Sequence, residues 1–283
     1  MKLSTEIPVE KLGVQCTPRD RIMLLGSCFS DEMGSRMAAG GFNVCCNPFG
    51  TLYNPASIAR AIDRLDSGKP FDIGDCVEMG AGANLVCSFH HHTSFARPTS
   101  QEFLDGANAS LAEASAFWKS CNKVIITLGT AYVWEHESAG IVGNCLKRNA
   151  SEFTHRMLGL EECTEILSEL TTGHLDKEFI FTVSPIRHLS QGAHENTVSK
   201  ATLHLAVTNV LVPGRAEYFP AWEILNDELR DYRFYAEDMV HPSKLASDII
   251  WERFLGSSVP ASDLQAIELN EKQSRRQAHR PLH

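Results

Sequence analysis

The chain has 283 residues, of which 43% are hydrophobic and 22% charged, and its formal net charge is -9. This length allows a sizeable core within one domain, and the composition is typical of soluble globular proteins. The negative charge argues against a nucleic-acid partner, because binding to phosphates depends on clustered Lys and Arg. No apolar stretch approaches the length that spans a bilayer, so we expect no membrane partner.

The nine cysteines form an odd set without a C-x-x-C pair, which excludes complete intramolecular pairing. Zinc and iron–sulfur sites need clustered thiols at short spacing, so the pattern predicts reduced thiols in a reducing compartment. The first residues lack the basic end, apolar centre and cleavage site of a secretory signal. We therefore expect a cytoplasmic location.

Apolar runs rich in β-branched residues alternate with segments of helical period along the chain. This alternation predicts an α/β fold whose mostly parallel sheet is covered by helices on both faces. Strands are expected at about 21–27, 42–46, 123–129, 178–184 and 216–220, and helices at 31–39, 55–66, 100–119, 161–172, 195–210, 222–230 and 243–255.

Two segments depart from this alternation. Residues 70–98 are irregular and rich in Gly and His, which predicts an excursion or a small hairpin over the sheet edge. From 259 to 283 the chain is polar, with too few apolar residues to offset the entropy of ordering, so we expect a poorly ordered tail after a single domain over 1–258.

Three separated residues suggest a hydrolytic site. Ser27 follows the first apolar run, where a strand ends and a helix begins, and Asp238 and His241 precede a late helix. Carboxyl ends of parallel strands meet at one sheet edge, which allows His241 to act as the base for Ser27 and Asp238 to orient the imidazole. The alternative is that all three are capping residues, as these types often are.

The neighbouring Cys28 is an alternative nucleophile, since an adjacent histidine lowers the pKa of a thiol. Successive residues in a strand-to-helix turn face different directions, however, and a small thiol packs well beneath such a turn. We therefore expect the Cys28 side chain to point away from the site into the core.

Several motifs along the chain resemble those of the GSCFA family, over about residues 15–255. They are GSCFS at 26–30, NPFG at 47–50 with YNP at 53–55, TLGT at 127–130, TVSPIRH at 182–188 and DELRDYRFY at 227–235. The family is grouped with the SGNH (GDSL-like) hydrolases, so the resemblance implies a flavodoxin-like three-layer α/β/α domain.

The resemblance also implies roles for individual residues. Ser27 would be the nucleophile, with Asp238 and His241 as its partners, and both its own N–H and that of Gly50 would belong to the oxyanion hole. The SGNH pattern has an asparagine donor where this chain has Ala131, so Thr130 or Asn47 would have to replace it. Losing one such donor costs about 10²- to 10³-fold in rate.

Further residues are predicted to lie at the rim of the site. Arg187 and His188 follow a strand, where a guanidinium can hold a substrate carboxylate or phosphate, although a salt bridge is an equal alternative. His90, within His90–His92, is a candidate for substrate contact, and a structural role is its main alternative; a metal site is the weaker alternative because no carboxylate or cysteine stands nearby. Asn144 is a further rim residue.

The sequence thus predicts a serine hydrolase that cleaves an O-acyl ester, on a carbohydrate or another small polar metabolite, without metal or organic cofactor. An acyltransferase with the same triad and a non-catalytic binding module on a degenerate scaffold are the alternatives. The oligomeric state is left open.

Overall fold

A computed structural model describes residues 5–278 of the chain. Its strands are β1 Arg21–Gly26, β2 Asn43–Cys46, β3 Val77–Glu78, β4 Val86–Cys87, β5 Lys123–Leu128, β6 Tyr132–His136, β7 Gly140–Val142, β8 Phe153–Met157, β9 Glu178–Val183 and β10 Ala216–Tyr218. Its helices are α1 Cys28–Ala39, α2 Pro55–Ser67, α3 Ser100–Ser120, α4 Leu160–Gly173, α5 Ala193–Val210, α6 Ala221–Glu223, which continues as a π-helix over Ile224–Leu229, α7 Lys244–Ser258 and α8 Ala261–Ala278.

The central sheet has five strands in the order β10-β9-β5-β1-β2, and every neighbouring pair is parallel. Numbered by their order in the chain, these strands run 2-1-3-4-5, which is the flavodoxin-like order. The predicted α/β class with a mostly parallel sheet is confirmed. In this order the strand sequence reverses between β1 and β5, so the crevice at their carboxyl ends is the expected ligand site.

Two hydrophobic cores cover the two faces of the sheet, because successive strand residues point to opposite sides. On one face Met23 and Leu25 of β1 pack with side chains from α2, α3, α4 and α5. On the other face Ile22 and Leu24 pack with side chains from α1 and α7. The structure is therefore a three-layer α/β/α sandwich.

Two smaller sheets lie outside this sandwich. Strands β3 and β4 form an antiparallel hairpin within the irregular segment 70–98. Strands β6, β7 and β8 form a second antiparallel sheet, which the sequence does not predict. This second sheet follows directly on β5 and so stands beside the crevice at the carboxyl ends of the central strands.

The segment after residue 259 differs from the prediction. Instead of a poorly ordered tail, residues 261–278 form helix α8; residues 279–283 lie outside the described part. Ile267 is buried in the core that contains Met37 of α1. The Asn270 amide donates to the Gly40 carbonyl (3.0 Å), and the Trp251 indole donates to Glu271 (2.7 Å). A few buried contacts thus stabilise a helix whose composition is mostly polar.

Ile267→Ala is expected to lower the free energy of unfolding by about 2–5 kcal/mol, because truncating a buried isoleucine leaves a cavity. Ile267 is 1% exposed, whereas Leu269 in the same helix is 53% exposed. The matched control Leu269→Ala should therefore stay within about 0.5 kcal/mol of the wild type. Urea denaturation of both variants measures the difference, and equal midpoints would show that α8 does not contribute to the core.

Candidate active site

The turn between β1 and α1 requires glycine at its first position. Gly26 has φ +142°, and a Cβ placed there would lie 2.2 Å from the Thr127 carbonyl oxygen of the neighbouring strand. The next residue, Ser27, donates its N–H to the same carbonyl (3.2 Å). The chain therefore crosses tightly over β5 and enters α1 at the carboxyl edge of the sheet.

Ser27 is the N-cap of α1 and is completely buried. Its hydroxyl donates to the Ser184 hydroxyl (3.1 Å) and accepts from the Phe29 N–H (3.3 Å). A side-chain oxygen that receives one of the free helix N–H groups is the usual arrangement at this position. The predicted contact between Ser27 and His241 is not formed, and Ser27 does not line the cleft described below.

Cys28, the first residue of α1, takes the place predicted for Ser27. Its thiol is half-buried and lines the cleft, with Sγ 3.5 Å from His241 Nε2. The prediction that this side chain points away from the site is wrong. Hydrogen bonds to Thr127 on β5 and to Ser184, the residue after β9, hold Ser27 inward, and the following side chain then projects into the cleft.

Asp238 and His241 are hydrogen-bonded to each other within one turn. One carboxylate oxygen lies 2.6 Å from His241 Nδ1, and the other accepts the N–H groups of Val240 and His241, each at 2.9 Å. These two backbone donors, with the imidazole, lower the pKa of Asp238 to about 2. Because a carboxylate is only an acceptor, the proton of the neutral imidazole is held on Nδ1, which leaves Nε2 free to accept a proton from Cys28.

The cleft has a volume of about 360 Å³ and lies at the carboxyl ends of β1 and β5, where the strand order reverses. Cys28 and His241 line it together with side chains of the second sheet. The remaining lining residues are Tyr53, Asn54, Thr130, Tyr132, Trp134, Val142, Gly143, His155, Ile186, Arg187, His188, Ser190, Gln191 and Val240.

Three of the predicted oxyanion donors are already engaged, and the first is the Ser27 N–H, which donates to the Thr127 carbonyl. The Asn47 side chain accepts from the Gly26 N–H (2.9 Å) and donates to Asp31 (2.7 Å), and the Gly50 N–H donates to the Asn47 carbonyl (2.7 Å). Neither residue lines the cleft, whereas Thr130 does. The Thr130 hydroxyl shares a hydrogen bond with Ser199 (3.1 Å) and accepts the Tyr132 N–H, so it also has other partners.

Asn54 offers a donor that the sequence analysis missed, because only the fold brings its side chain to the cleft. The side-chain oxygen of Asn54 caps α2 by accepting the Ser57 N–H at 2.8 Å. Within residues 5–278, its amide nitrogen has no hydrogen-bond partner and is not a buried unsatisfied atom, and the residue lines the cleft. With the Cys28 N–H at the start of α1, this gives two candidate oxyanion donors.

Arg187 and His188 reach the cleft as predicted, although Arg187 has partners of its own. Its guanidinium donates to the Met239 carbonyl and lies over the rings of Tyr232 and Tyr235. Arg187 thus contacts the turn that carries Asp238 and His241. Burial, together with the charges of Lys200 and His241, lowers the pKa of His188 to about 4.

His90 and Asn144 do not reach the cleft. His90 lines a separate small cavity with Arg60 and Arg64, and burial lowers its pKa to about 4. Asn144 accepts the Leu146 N–H (2.8 Å) in a local turn. The middle histidine, His91, is buried among aromatic rings and bonds to Ser88 (2.7 Å), so this run of histidines is mainly structural.

Lys200 is a buried lysine, missed by the sequence analysis, that bonds to Ser184, the partner of Ser27. Its Nζ is 2.8 Å from the Ser184 carbonyl and lies over the Trp222 ring. Burial lowers the pKa of Lys200 to about 7, whereas the charge of Cys28 raises it. Burial also raises the pKa of the Cys28 thiol, which the N–H groups of Cys28 and Phe29 and the charge of Lys200 act to lower.

The model of the GSCFA family matches residues 21–254, a range that contains the β1–α1 turn, the cleft and the Asp238–His241 turn. The chain belongs to the GSCFA family. No curated protein and no solved structure matches this GSCFA chain. Over residues 5–278, the GSCFA protein has no helix long and apolar enough to cross a bilayer, and no group of three or more His, Cys, Asp or Glu side chains arranged to hold a metal ion.

Proposed function

We propose that this GSCFA protein is an acyl hydrolase that uses a Cys28–His241–Asp238 triad to cleave an ester of a small polar substrate. The observation that carries the proposal is the chain of contacts in the cleft, from Sγ to Nε2 (3.5 Å) and from Nδ1 to the carboxylate (2.6 Å). A nucleophile, a base and a group that orients the base are the parts that acyl transfer requires.

In the first half of the reaction His241 Nε2 takes the thiol proton as Sγ attacks the carbonyl carbon. The C–S bond forms, and the carbonyl π electrons move to oxygen. When they return, the C–O bond to the alcohol breaks, and the leaving oxygen takes the proton from Nε2. In the second half His241 deprotonates a water molecule, which attacks the thioester and releases the acid and the thiol.

The developing oxyanion would be stabilised by the Cys28 N–H and the Asn54 amide. Both donors stand at helix starts, where N–H groups lack intrahelical partners and the helix dipole favours negative charge. This assignment replaces Asn47 and Gly50, whose donors have other partners. The same acyl-enzyme could pass its acyl group to an alcohol instead of water, and product analysis with added acceptors separates these outcomes.

We also propose that the protein belongs with the SGNH hydrolases. The 2-1-3-4-5 strand order and a nucleophile directly after β1 support this assignment, as does the late turn that carries the Asp–His pair. The nucleophile is then a thiol rather than the hydroxyl of Ser27.

Selective alkylation tests the proposal. With limiting iodoacetamide at pH 7, peptide mapping should show Cys28 modified faster than the other eight cysteines, because only a thiolate reacts and His241 removes the proton. Cys76, which is partly exposed and does not line the cleft, is the internal reference. In His241→Ala the advantage of Cys28 over Cys76 should disappear. Equal rates for both cysteines in the wild type would contradict an activated thiol.

Lys200→Met is expected to shift the alkylation of Cys28 to higher pH. Alkylation accelerates as pH rises through the thiol pKa, and the Lys200 charge acts to lower that pKa. Each unit of upward shift reduces the thiolate fraction at pH 7 about 10-fold. The matched control is Lys177→Met, which also removes a buried lysine. Lys177 bonds to the Trp118 and Cys121 carbonyls, whereas Lys200 bonds to the Ser184 carbonyl. Coincident pH profiles for Lys200→Met and the wild type would rule out the electrostatic role.

A further inference from the structure

Part of the cleft lining is a stack of three rings from the second sheet. Tyr132 and Trp134 lie two residues apart on β6 and face the same side, and His155 on β8 is directly opposite Trp134 in the strand register. The His155 ring lies 4.0 Å from the Trp134 ring at 28°, and 5.0 Å from the Tyr132 ring at 19°. The imidazole is thus stacked against both aromatic rings.

This stack belongs to the cleft rather than to the protein core. All three residues line the cleft, and neither Tyr132 nor Trp134 packs against either of the two hydrophobic cores. Trp134 is 36% exposed, whereas Trp118 in the core is 1% exposed. A tryptophan left open beside a nucleophile presents a large, flat and rigid contact surface to a ligand.

The charges around the cleft favour a neutral ligand. Among the described residues that line it, none is Asp or Glu, and its one Lys or Arg side chain, Arg187, is bound to the Met239 carbonyl and lies over two tyrosine rings. Burial lowers the pKa of His188 to about 4 and also lowers the pKa of His155, which favours the neutral form of each imidazole. A carboxylate or phosphate on the substrate would therefore meet a single Lys or Arg side chain, Arg187, whose guanidinium already donates to the Met239 carbonyl.

Hydrogen-bonding groups surround the rings. The Ser190 hydroxyl and the Gln191 amide line the same cleft, and neither side chain has a hydrogen-bond partner within residues 5–278. A flat aromatic face ringed by uncommitted polar groups matches a molecule that carries C–H bonds on its ring faces and hydroxyls at its edges. A purely aromatic acyl group would use the face and leave these polar groups without partners.

We propose that the Tyr132–His155–Trp134 stack binds the pyranose ring of a neutral sugar, which makes an O-acylated sugar the substrate. The sugar ring lies on Trp134, its hydroxyls bond to Ser190 and Gln191, and its acyl carbonyl reaches Cys28. The substrate assignment rests on the proposed hydrolase activity, whereas sugar binding by the stack does not.

Saturation-transfer NMR tests the binding step without catalysis. Cys28→Ala protein is mixed in turn with the methyl pyranosides of glucose, galactose and N-acetylglucosamine, and with methyl benzoate. Saturation should reach ring C–H protons of at least one pyranoside, disappear in Cys28→Ala/Trp134→Ala and persist in Cys28→Ala/Trp134→Phe, which keeps an aromatic face. No transfer to any pyranoside, or transfer to methyl benzoate alone, would overturn the sugar subsite.

Kinetics of Trp134→Ala in the otherwise native protein separate the two proposals. For acetylated methyl pyranosides KM should rise about tenfold with little change in kcat, because a ring contact worth about 1.4 kcal/mol is lost. Turnover of ethyl acetate, which carries neither a sugar ring nor an aromatic ring, should fall less than that of the acetylated pyranosides. If a sugar binds but no ester is turned over, the proposed hydrolase activity is wrong and the sugar subsite is retained. If esters are turned over but no sugar binds, the sugar subsite is wrong and the hydrolase activity is retained.

Discussion

Cys28→Ala is expected to abolish turnover of ester substrates, with a fall of at least about 10³-fold in kcat, and to leave the fold intact. The variant removes the sulfur that lies 3.5 Å from His241 Nε2. The cap of α1 is Ser27, so the Cys28 side chain has no capping role. Steady-state hydrolysis of p-nitrophenyl acetate and of sugar acetates measures the loss, and circular dichroism confirms that the helices remain.

The matched control for Cys28→Ala is Ser27→Ala, one residue earlier. This variant removes a hydroxyl that caps α1 and bonds to Ser184, so it should lower the free energy of unfolding by about 1 kcal/mol and preserve most of the activity. Full activity in Cys28→Ala together with an inactive, folded Ser27→Ala would assign the nucleophile to the serine instead.

Asp238→Asn is expected to lower kcat about 10³- to 10⁴-fold, since an amide can turn its NH₂ group toward Nδ1 and favour the wrong imidazole tautomer. The wild-type carboxylate accepts from Nδ1 and from two backbone N–H groups at once. The asparagine can keep the backbone bonds, so the turn should remain folded while the base loses its orientation. The pH dependence of kcat/KM measures the effect.

Glu237→Gln provides the control for charge at the same turn. Glu237 is the exposed neighbour of Asp238 and is not bonded to His241. Neutralising it removes the same charge without touching the imidazole, so kcat should stay within about twofold of the wild type. Equal losses in Glu237→Gln and Asp238→Asn would mean that the field of the turn, and not the orientation of His241, supports activity.

The features that the sequence predicted best depend on local pattern. The strand expected at 123–129 is β5, Lys123–Leu128, because a run of buried β-branched residues is unambiguous. The pairing of Asp238 with His241 also follows from their spacing of three residues, since both side chains belong to one short turn. The family resemblance placed these segments in one α/β/α fold. The family match confirms the resemblance, and the five-stranded parallel sheet confirms the fold class.

The local sequence pattern does not decide whether Ser27 or Cys28 faces the cleft. Both are small residues in one turn, and which of them faces the cleft is decided by Thr127 and Ser184, about 100 and 157 positions away. The same applies to Asn54, whose side-chain oxygen caps α2 and whose amide reaches the cleft only because the fold places α2 there.

The second sheet and α8 were missed because their stability comes from tertiary packing. Strands β6, β7 and β8 span three to five residues each, too short for their alternation to be distinguished from that of loops. In α8 a single fully buried isoleucine and a few side-chain bonds hold a polar helix against α1. The aromatic stack of the cleft was missed for the same reason, since it lies on the second sheet.

Mapping the acyl-enzyme tests the central claim most directly. The protein is mixed with p-nitrophenyl acetate and quenched in acid within its first turnovers, and fragmentation of the peptide that contains residues 26–30 locates the acetyl group. We expect it on Cys28, released by neutral hydroxylamine as a thioester is, and missing from His241→Ala. Acetylation of Ser27, or continued turnover with no acetyl group on this peptide, would contradict the account.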